Sequence, residues 1–219
     1  MSLKFLTKNV AVYEALRKDM IEGRLKPGQK IIMSDVAKEF GLSDIPVREA
    51  IRRLESEGYV RFTPHVGAIV SELDEDKIIE LYLIRVELES LATRLAVPYI
   101  TSRDIDFLIK KNHAMELVVQ REKLEKLGAL NKDFHLRIYQ AAPYPILNQL
   151  IEDLWEKMER TQSVFAFVPD RAAASVEEHK KIIAALQAKD TALSERLVKD
   201  QKSRTMASLK KYLKEAEEN

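Results

Sequence analysis

The placement of helix-breaking residues constrains this chain more than any other feature of its sequence. Up to about Leu73 the apolar patterns are short and are separated by turn signals such as Lys26-Pro27-Gly28. Beyond Leu73, apolar residues recur at helical spacing over long stretches, with few breaks and no strand pattern. This change predicts two domains, over residues 1–73 and 74–219. The second is expected to be an all-helical bundle, with helices over about 74–97, 102–119, 121–142, 144–166, 170–188 and 190–216.

The first zone carries the pattern of three short helices. Apolar residues at helical spacing from Val10 to Met20 predict the first. The second begins at Ser34 as its N-cap, and a turn at Gly41-Leu42-Ser43 leads to the third, with Pro46 in its first turn. Gly58 is expected to end the third helix. The side chains expected to pack these helices together are Val36, Ala37, Phe40, Val47, Ala50, Ile51 and Leu54.

Two short strands, Tyr59–Phe62 and Ala68–Val70, are predicted on either side of a turn at Pro64-His65-Val66-Gly67. Helices joined by a tight turn and followed by a β-hairpin form the winged helix-turn-helix, whose second helix of the pair enters the major groove of DNA. The expected fold class is therefore mainly α: an N-terminal winged helix-turn-helix with a small β-hairpin, followed by the all-helical bundle.

Arg48 and Arg52 are the leading candidates for DNA contacts. They are four residues apart on one face of the third helix, displaced from its apolar stripe, and each guanidinium can form paired hydrogen bonds to phosphate or guanine. Arg53 has acidic residues four positions before and after it, which favours a surface ion pair instead. A solvated basic face is the alternative for Arg48 and Arg52. Their place in the second helix of a turn-linked pair favours DNA binding.

Composition excludes several classes of protein. The 219 residues contain no cysteine, which excludes disulfides, thiolate zinc sites and cysteine nucleophiles. The longest charge-free stretch, Ile138–Ile151, has 14 residues, too few for a membrane span. The first residues lack the apolar core of a signal peptide, so a cytoplasmic location is expected. The net charge of +1 does not by itself indicate a nucleic-acid partner.

The run from Asp35 to Gly58 closely resembles the GntR family of bacterial transcription regulators, above all in Pro46-Val47-Arg48-Glu49-Ala50-Ile51. His65-Val66-Gly67 is similar to the tip of the family's wing, which approaches the minor groove. The resemblance implies a double-stranded DNA operator as partner. The residues it places at the DNA are Ser34, Ser43, Asp44, Arg48, Arg52, His65 and Gly67, although a plain turn remains an equal interpretation of His65.

Asp44 departs from the family's pattern, which usually has arginine at this position, and Ser34 also differs from the residue often found at its position. Asp44 is interpreted either as a cap of the third helix or as an acceptor for the N4 amino group of cytosine. Under either interpretation one usual arginine contact is missing. The operator of this chain is therefore expected to differ from the operators of its relatives.

Polar residues fall on the inward faces of four predicted helices in the second zone. On the first long helix Arg85 lies within a stripe formed by Leu81, Ile84, Leu88, Ala92 and Leu95. Asn131 and His135 lie one turn apart at the centre of another stripe, and His179 and Gln201 lie on two further helices. Each of them alone is most simply a satisfied core residue. Together they predict a polar cavity inside the bundle, whereas His113 is expected to be solvated.

The second zone also resembles the effector-binding domain of the FadR subfamily, called FCD, through Glu80–Glu89, Asn131–His135 and Glu178-His179-Lys180. The resemblance implies a divalent metal held by Asn131, His135 and His179, and the imidazole donors favour zinc or nickel over magnesium. The third histidine of that pattern is replaced by Gln201. Arg85 matches the arginine that pairs with an organic acid effector. The effector residues implied are Arg85, Asn131, His135, His179 and Gln201.

These features predict a transcription regulator, not an enzyme. Its operator affinity would be controlled by a small carboxylate metabolite, with metal assistance left open. A homodimer reading a near-palindromic operator is expected, because one winged domain contacts few bases. The alternative is an all-helical metalloenzyme fused to a winged-helix module, for which no inward Glu or Asp offers a general base. A winged-helix protein-interaction module is a third possibility, and it predicts no salt-dependent DNA binding.

Overall fold

The computed structural model of the chain describes residues 7–21, 23–63, 66–72, 75–158 and 168–217. The chain divides into two compact units, Met1–Leu73 and Asp74–Asn219. None of the helices in the described ranges is both long and apolar enough to cross a membrane.

The N-terminal unit combines three helices with an antiparallel sheet of three strands. In the sheet, β3 lies between β1 and β2, with Val60 opposite Val70 and Thr63 opposite Gly67. The winged helix-turn-helix is confirmed, with one strand that the sequence did not predict, because β1 has only two residues and shows no periodicity. The elements are α1 (Lys8–Ile21), β1 (Lys30–Ile31), α2 (Met33–Phe40), α3 (Asp44–Ser56), β2 (Val60–Thr63) and β3 (Gly67–Val70).

The core of this unit lies largely between α1 and α3. Val47, Ile51 and Leu54 of α3 are fully buried and belong to the same apolar cluster as Val12 of α1. The turn from α2 to α3 depends on Gly41, whose φ of +63° is a left-handed conformation that glycine adopts without steric cost. This turn makes α3 the second helix of the pair, as predicted.

Two predictions about helix starts are wrong. The N-cap of α2 is Ile32, and Ser34 lies within the first turn, where it caps nothing. The N-cap of α3 is Ser43, which makes no side-chain capping hydrogen bond, and Asp44 is the first helical residue. Asp44 therefore does not cap α3, although a negative charge in the first turn is favoured by the helix dipole. Phe40, expected in the core, is only half-buried at the end of α2.

The described residues of the second unit form helices and the turns that connect them, with no strand among them. Helix α6 begins at Leu127, not at 121, because Arg121 ends α5 and Glu122 adopts a φ of +54°. A short 3-10 turn at Leu124–Lys126 leads into α6. The predicted helix over 144–166 is described as α7 to Lys157, and its residues from 159 onward lie outside the described ranges. The helices are α4 (Glu75–Ala96), α5 (Ser102–Gln120), α6 (Leu127–Gln140), α7 (Pro145–Lys157), α8 (Pro169–Gln187) and α9 (Thr191–Glu217).

Helix α4 packs along α9 and also contacts α6 and α7, but the face it buries is not the one that the sequence predicted. Of the predicted apolar stripe only Ala92 is fully buried, and Ile84 is exposed. The buried face is rotated toward Tyr82, Arg85 and Glu89. The physical reason is that the charged groups of this face find partners inside the unit. Part of the apolar face of α4, including Ile84, is therefore exposed to solvent, and we call it the apolar edge.

Candidate functional site

Arg48 and Arg52 are exposed on α3, one turn apart, beside the buried residues that hold the helix in place. Neither forms an ion pair with any of the described residues. Arg53, in contrast, stacks 3.8 Å above the ring of Tyr13, and its Nε donates to Glu57 at 3.1 Å. The structure therefore shows the predicted difference: Arg53 is engaged by Tyr13 and Glu57, whereas Arg48 and Arg52 make no ion pair with the described residues.

The other residues predicted at the DNA divide by position. Ser34, Ser43 and Asp44 are exposed at or near the starts of α2 and α3. Gly67 begins β3 with a φ of +99°, whereas His65 lies outside the described residues. The sequence reasoning missed Ile45, which follows Asp44 and is 70% exposed. The sequence feature that could have identified Ile45 is that it is apolar but lies outside the buried stripe of α3, the helix expected to read DNA.

The buried polar residues of the helical unit meet at the carboxylate of Glu89. Arg85 Nε donates to Glu89 Oε1 at 2.5 Å, and the Tyr139 hydroxyl donates to Glu89 Oε2 at 2.5 Å. Lys202 Nζ lies 2.9 Å from the same Oε2. Burial opposes the charge of this carboxylate, but the adjacent Arg85 and Lys202 outweigh burial and lower the pKa of Glu89. Three helices, α4, α6 and α9, are thereby joined through one anion.

Trp155 of α7 completes this cluster. The centroid of its ring lies 3.9 Å from Arg85 Cζ and 4.8 Å from Lys202 Nζ, so both cations contact the same aromatic ring. Burial lowers the pKa of Lys202 to about 8, although Glu89 acts in the opposite direction. The pKa of Tyr139 is raised well above its usual value by burial and by the charge of Glu89. The phenol therefore remains a hydrogen-bond donor.

The hydrogen bonds around His135 and His179 fix which ring nitrogen carries the proton. Asn112 Nδ2 donates to the Val176 carbonyl, so Asn112 Oδ1, 3.2 Å from His179 Nδ1, accepts a proton from it. Tyr139 gives its hydroxyl proton to Glu89, so its oxygen accepts from His135 Nδ1 at 3.3 Å. Both imidazoles are therefore protonated at Nδ1, and their unprotonated Nε2 atoms face each other 3.3 Å apart.

Both imidazoles are held neutral. Burial lowers the pKa of His135 and of His179 well below the ordinary value, and the charge of Lys202 lowers both further. Two nitrogen lone pairs at this separation match adjacent ligands of a tetrahedral zinc ion, which lie about 3.4 Å apart when each bond is about 2.1 Å. The pair therefore fits a bridging cation.

Gln201 offers a third candidate metal ligand near the two facing Nε2 atoms. Its Oε1 is buried without a hydrogen-bond partner of normal geometry in the described part of the chain, and the side chain lies close enough to His135 to raise the pKa of that imidazole slightly. Asn131 is buried one turn before His135, but no hydrogen bond among the described residues joins it to the others. Within the described ranges, no group of three or more His, Cys, Asp or Glu residues is placed to hold a metal.

The structure thus brings Arg85, His135, His179 and Gln201 into one buried cluster, and it leaves His113 exposed beside Glu116, as expected. Helix α4 does carry an inward acidic residue, Glu89, which is fully buried. Glu89 is held by three donors and is a poor base. The sequence reasoning missed two residues to which helical spacing pointed, because Glu89 and Tyr139 lie four residues after Arg85 and His135. It also missed four members of the cluster for which no such signal exists: Lys202, Asn112, Trp155 and Arg171.

Two family profiles match the sequence and together span both units. Residues 8–70 match the profile described as bacterial regulatory proteins, gntR family, and residues 80–201 match the FCD domain. The HTH-type transcriptional regulator McbR of Escherichia coli K12 is 31% identical over 190 residues, which are 86% of this chain and 86% of McbR. The gluconate operon transcriptional repressor of Bacillus subtilis is 27% identical over 202 residues, covering 87% of this chain and 81% of the repressor.

Solved structures agree with the fold. The structure of E. coli McbR/YncC superposes with a TM-score of 0.72 at 28% identity, covering 93% of this chain and 97% of the other. A GntR regulator from Rhodococcus sp. RHA1 gives a TM-score of 0.76 at 19% identity, with 92% and 97% covered, and bears on the fold alone.

Replacing Glu89 by glutamine tests whether the cluster depends on this carboxylate. The Glu89→Gln variant leaves Arg85 and Lys202 buried without their anion, so we expect the free energy of unfolding to fall by about 3–5 kcal/mol. Glu87→Gln is the matched control, because Glu87 is exposed on the same helix and its one ion pair with a described residue is to the exposed Lys199. Its loss should be within about 1 kcal/mol. Urea unfolding followed by circular dichroism measures both, and equal losses would contradict a special role for Glu89.

Proposed function

Because the chain belongs to the GntR family of bacterial regulatory proteins and carries an FCD domain, we propose that it binds an operator through α3 and a small carboxylate effector through the buried cluster of its helical unit. Like its named relatives, the chain is a DNA-binding transcription regulator and not an enzyme. The proposed place of action is the bacterial cytoplasm, where the operator is found.

The observation that carries the effector proposal is an excess of buried positive charge. Arg85, Lys202 and Arg171 are each buried, and they face the carboxylates of Glu89 and Glu178. Burying an unbalanced charge is costly. One further anion of small size balances the cluster, and a carboxylate pairs well with guanidinium and ammonium groups. The residues proposed to receive it include Arg85 together with His135, His179, Asn131 and Gln201.

A divalent metal, zinc or nickel, fits the facing imidazoles. His135 and His179 would hold it through Nε2 and Gln201 through Oε1, with Asn131 as a further oxygen donor from the same helix as His135. The hydrogen bonds that the two rings donate to Tyr139 and Asn112 orient them, as outer partners do in many metal sites. When bound, the metal supplies a Lewis-acidic charge for a carboxylate oxygen.

Control of DNA binding requires that the effector bind one conformation of the regulator better than another. The cluster joins α4, α6, α7 and α9. A bound carboxylate that changes the hydrogen bonds of the cluster would therefore change how all four helices pack against one another. The coupling between effector and operator is then reciprocal in free energy.

The DNA proposal assigns base or phosphate contacts to Arg48 and Arg52, and positions Ser34, Ser43, Asp44 and Gly67 at the interface, with His65 as the wing-tip candidate. Ile45 joins this set. A large apolar side chain that is 70% exposed at the start of a DNA-reading helix matches the C5-methyl group of thymine.

A homodimer is proposed to form through the apolar edge of the helical unit. Leu95 of α4 and Tyr144, Ile146 and Leu150, in and just before α7, line a groove of about 370 Å³, and Ile146 is 79% exposed. Exposed apolar patches of this kind mark interaction surfaces. A second copy is the partner, because one winged domain contacts too few bases for useful specificity and two half-sites require two reading helices.

The Arg48→Ala variant tests the reading helix. If Arg48 contacts a base, operator binding should weaken by about 1–3 kcal/mol and the preference at that base should relax. A contact to phosphate alone predicts a uniform loss and a shallower salt dependence. Arg94→Ala, which removes an exposed arginine of the helical unit, should bind normally. Gel shifts measure both variants, and unchanged binding by folded Arg48→Ala would remove Arg48 from the interface.

The Ile45 contact is tested by removing methyl groups from the DNA. After selection of an operator, replacing the contacted thymine by uracil should cost the wild type about 0.8 kcal/mol, roughly fourfold in Kd. The Ile45→Ala variant should show no difference between the two bases at that position. If every thymine can be replaced without loss, or if Ile45→Ala keeps the same sensitivity, Ile45 does not read a methyl group.

The Ile146→Glu variant tests the proposed dimer face. A buried carboxylate in an apolar interface is costly, so a wild-type dimer at micromolar concentration should become a monomer by light scattering. Ile109→Glu, which changes an exposed isoleucine on α5, should remain dimeric. A monomeric wild type, with or without DNA, would contradict the proposal.

The His135→Ala variant tests the effector site. It removes one of the facing imidazoles, so a carboxylate that alters the operator affinity of the wild type should no longer do so, while effector-free DNA binding remains nearly unchanged. His113→Ala changes an exposed imidazole and should respond normally. Fluorescence anisotropy of labelled operator gives both affinities. A normal response in His135→Ala would show that the effector binds elsewhere.

A further inference from the structure

One flank of helix α3 carries charged residues at intervals of one turn. Glu49, Arg53 and Glu57 occupy every fourth position, so they form one ridge along the helix and its C-cap. Arg48 and Arg52, the candidate DNA contacts, form the neighbouring ridge, one residue earlier. Both ridges belong to one helix, so contacts that fix the first also fix the direction of the second.

Helix α1 holds the charged ridge at two points. Asn9 Nδ2 donates to Glu49 Oε2 at 2.8 Å. Four residues further along α1, the Tyr13 hydroxyl donates to Glu57 Oε2 at 2.6 Å. Glu49 and Glu57 are eight residues apart, which corresponds to about 12 Å along the axis of α3. Two directional contacts at this spacing oppose both rotation of α3 about its axis and tilting against α1.

The contact at Glu57 is built from three side chains. Arg53 Cζ lies 3.8 Å from the centroid of the Tyr13 ring, and Arg53 Nε donates to Glu57 Oε1 at 3.1 Å. Each carboxylate oxygen of Glu57 therefore accepts a hydrogen bond. Burial and the hydrogen bond to Glu57 raise the pKa of Tyr13 to about 12, so the phenol remains a donor.

Asn9 is itself held in one orientation. Its Oδ1 accepts from the Thr7 hydroxyl at 2.6 Å and from the backbone N–H of Val10 at 2.9 Å. Because the amide oxygen is engaged in this way, the Nδ2 group is directed to the carboxylate of Glu49. Both contacts to α3 thus come from side chains that are fixed on α1.

Sequence reading depends on the rotation of α3 more than simple attraction to DNA does. The outer atoms of a helix lie about 5–6 Å from its axis, so a rotation of about 10° moves them by roughly 1 Å. A shift of this size breaks a hydrogen bond to a base, because donor and acceptor must lie within about 2.7–3.2 Å. Attraction to phosphates is less directional and carries no sequence information. The apolar packing between α1 and α3 is also non-directional.

We infer that Asn9 and Tyr13 are positioning residues for sequence discrimination, and that they act through Glu49 and Glu57 on the rotation of α3. The inference rests on the proposed reading of DNA by α3. It gives α1 a part in the choice of operator, since its two hydrogen bonds set where the neighbouring ridge meets the bases. The general attraction of the domain to DNA does not depend on these hydrogen bonds.

The Asn9→Ala/Tyr13→Phe double variant tests the inference. It removes both donors to α3, keeps the aromatic ring under Arg53 and leaves the net charge unchanged. An operator is first selected from a random duplex library, and fluorescence anisotropy then gives the affinities for it and for a scrambled duplex of equal length. The ratio of the two affinities should fall at least about fivefold, the equivalent of one lost bidentate base contact. Affinity for the scrambled duplex should stay within about twofold of the wild type, with the same salt dependence.

Asp19→Asn is the matched control, because Asp19 lies on α1 but accepts a hydrogen bond from Arg24 instead of contacting α3. It should keep the wild-type ratio. A repeated selection with the double variant should relax base preferences at positions that also relax in Arg48→Ala or Arg52→Ala. If the double variant shows no cooperative thermal transition, Tyr13→Phe alone decides, with an expected fall in the ratio of at least about threefold.

An unchanged ratio in the folded variant would overturn the inference. Equal weakening of binding to both duplexes would also overturn it, because a merely destabilised domain gives that result. The proposed reading of DNA by α3 fails separately, if selection enriches no sequence or if Arg48→Ala and Arg52→Ala both bind the operator as the wild type does. In that case α3 does not read the operator, and the inference fails with the proposal on which it rests.

Discussion

The ion pair between Glu89 and the cations around it is the interaction on which the helical unit depends. A fully buried carboxylate is stable only when it is neutralised and hydrogen-bonded. Glu89 meets both conditions through Arg85 on its own helix, Lys202 on α9 and Tyr139 on α6. Because Tyr139 gives its proton to Glu89, it must accept one from His135, and this sets the tautomer of the imidazole. The geometry of the candidate site therefore begins at one carboxylate.

The same arrangement explains the exposed apolar edge of α4. Once Arg85 and Glu89 turn inward, residues a quarter-turn away, such as Ile84, face outward, although they are apolar. One side of the helix thus faces the polar cluster, and the other carries the apolar residues of the proposed dimer face. A change in the hydrogen bonds of the cluster can alter the position of α4 and hence the dimer geometry, which is the proposed route from effector to operator.

The sequence predicted the parts of the structure that local rules control. Gly41 and Pro46 mark the turn between α2 and α3, so the DNA-reading helix and its buried stripe could be identified from residue types and spacing alone. The two-residue strand β1 has no such signal, and its pairing with β3 is a tertiary interaction. The prediction of Ser34 as N-cap was wrong because serine is a good capping residue, whereas the observed N-cap is Ile32, two residues earlier.

In the helical unit, single polar residues within apolar stripes identified Arg85, His135, His179 and Gln201. The apolar stripe of α4 gave a wrong prediction of the buried face of this helix, because an amphipathic helix ordinarily buries its apolar face. Glu89 and Lys202 balance each other's charge across two helices, a relationship that no local pattern reveals. The orientation of α4 follows from this long-range pairing and could be seen only in the folded chain.

The central claim is that this network leaves both imidazoles protonated at Nδ1, with their Nε2 lone pairs facing each other. Nitrogen-15 NMR of the histidine side chains, on protein treated with a chelator, tests it directly. The network predicts that His135 and His179 show protonated Nδ1 and unprotonated Nε2, and that neither becomes an imidazolium near about pH 6.5, where an ordinary histidine titrates. A proton on Nε2 of either ring, or titration of either ring near about pH 6.5, would contradict it.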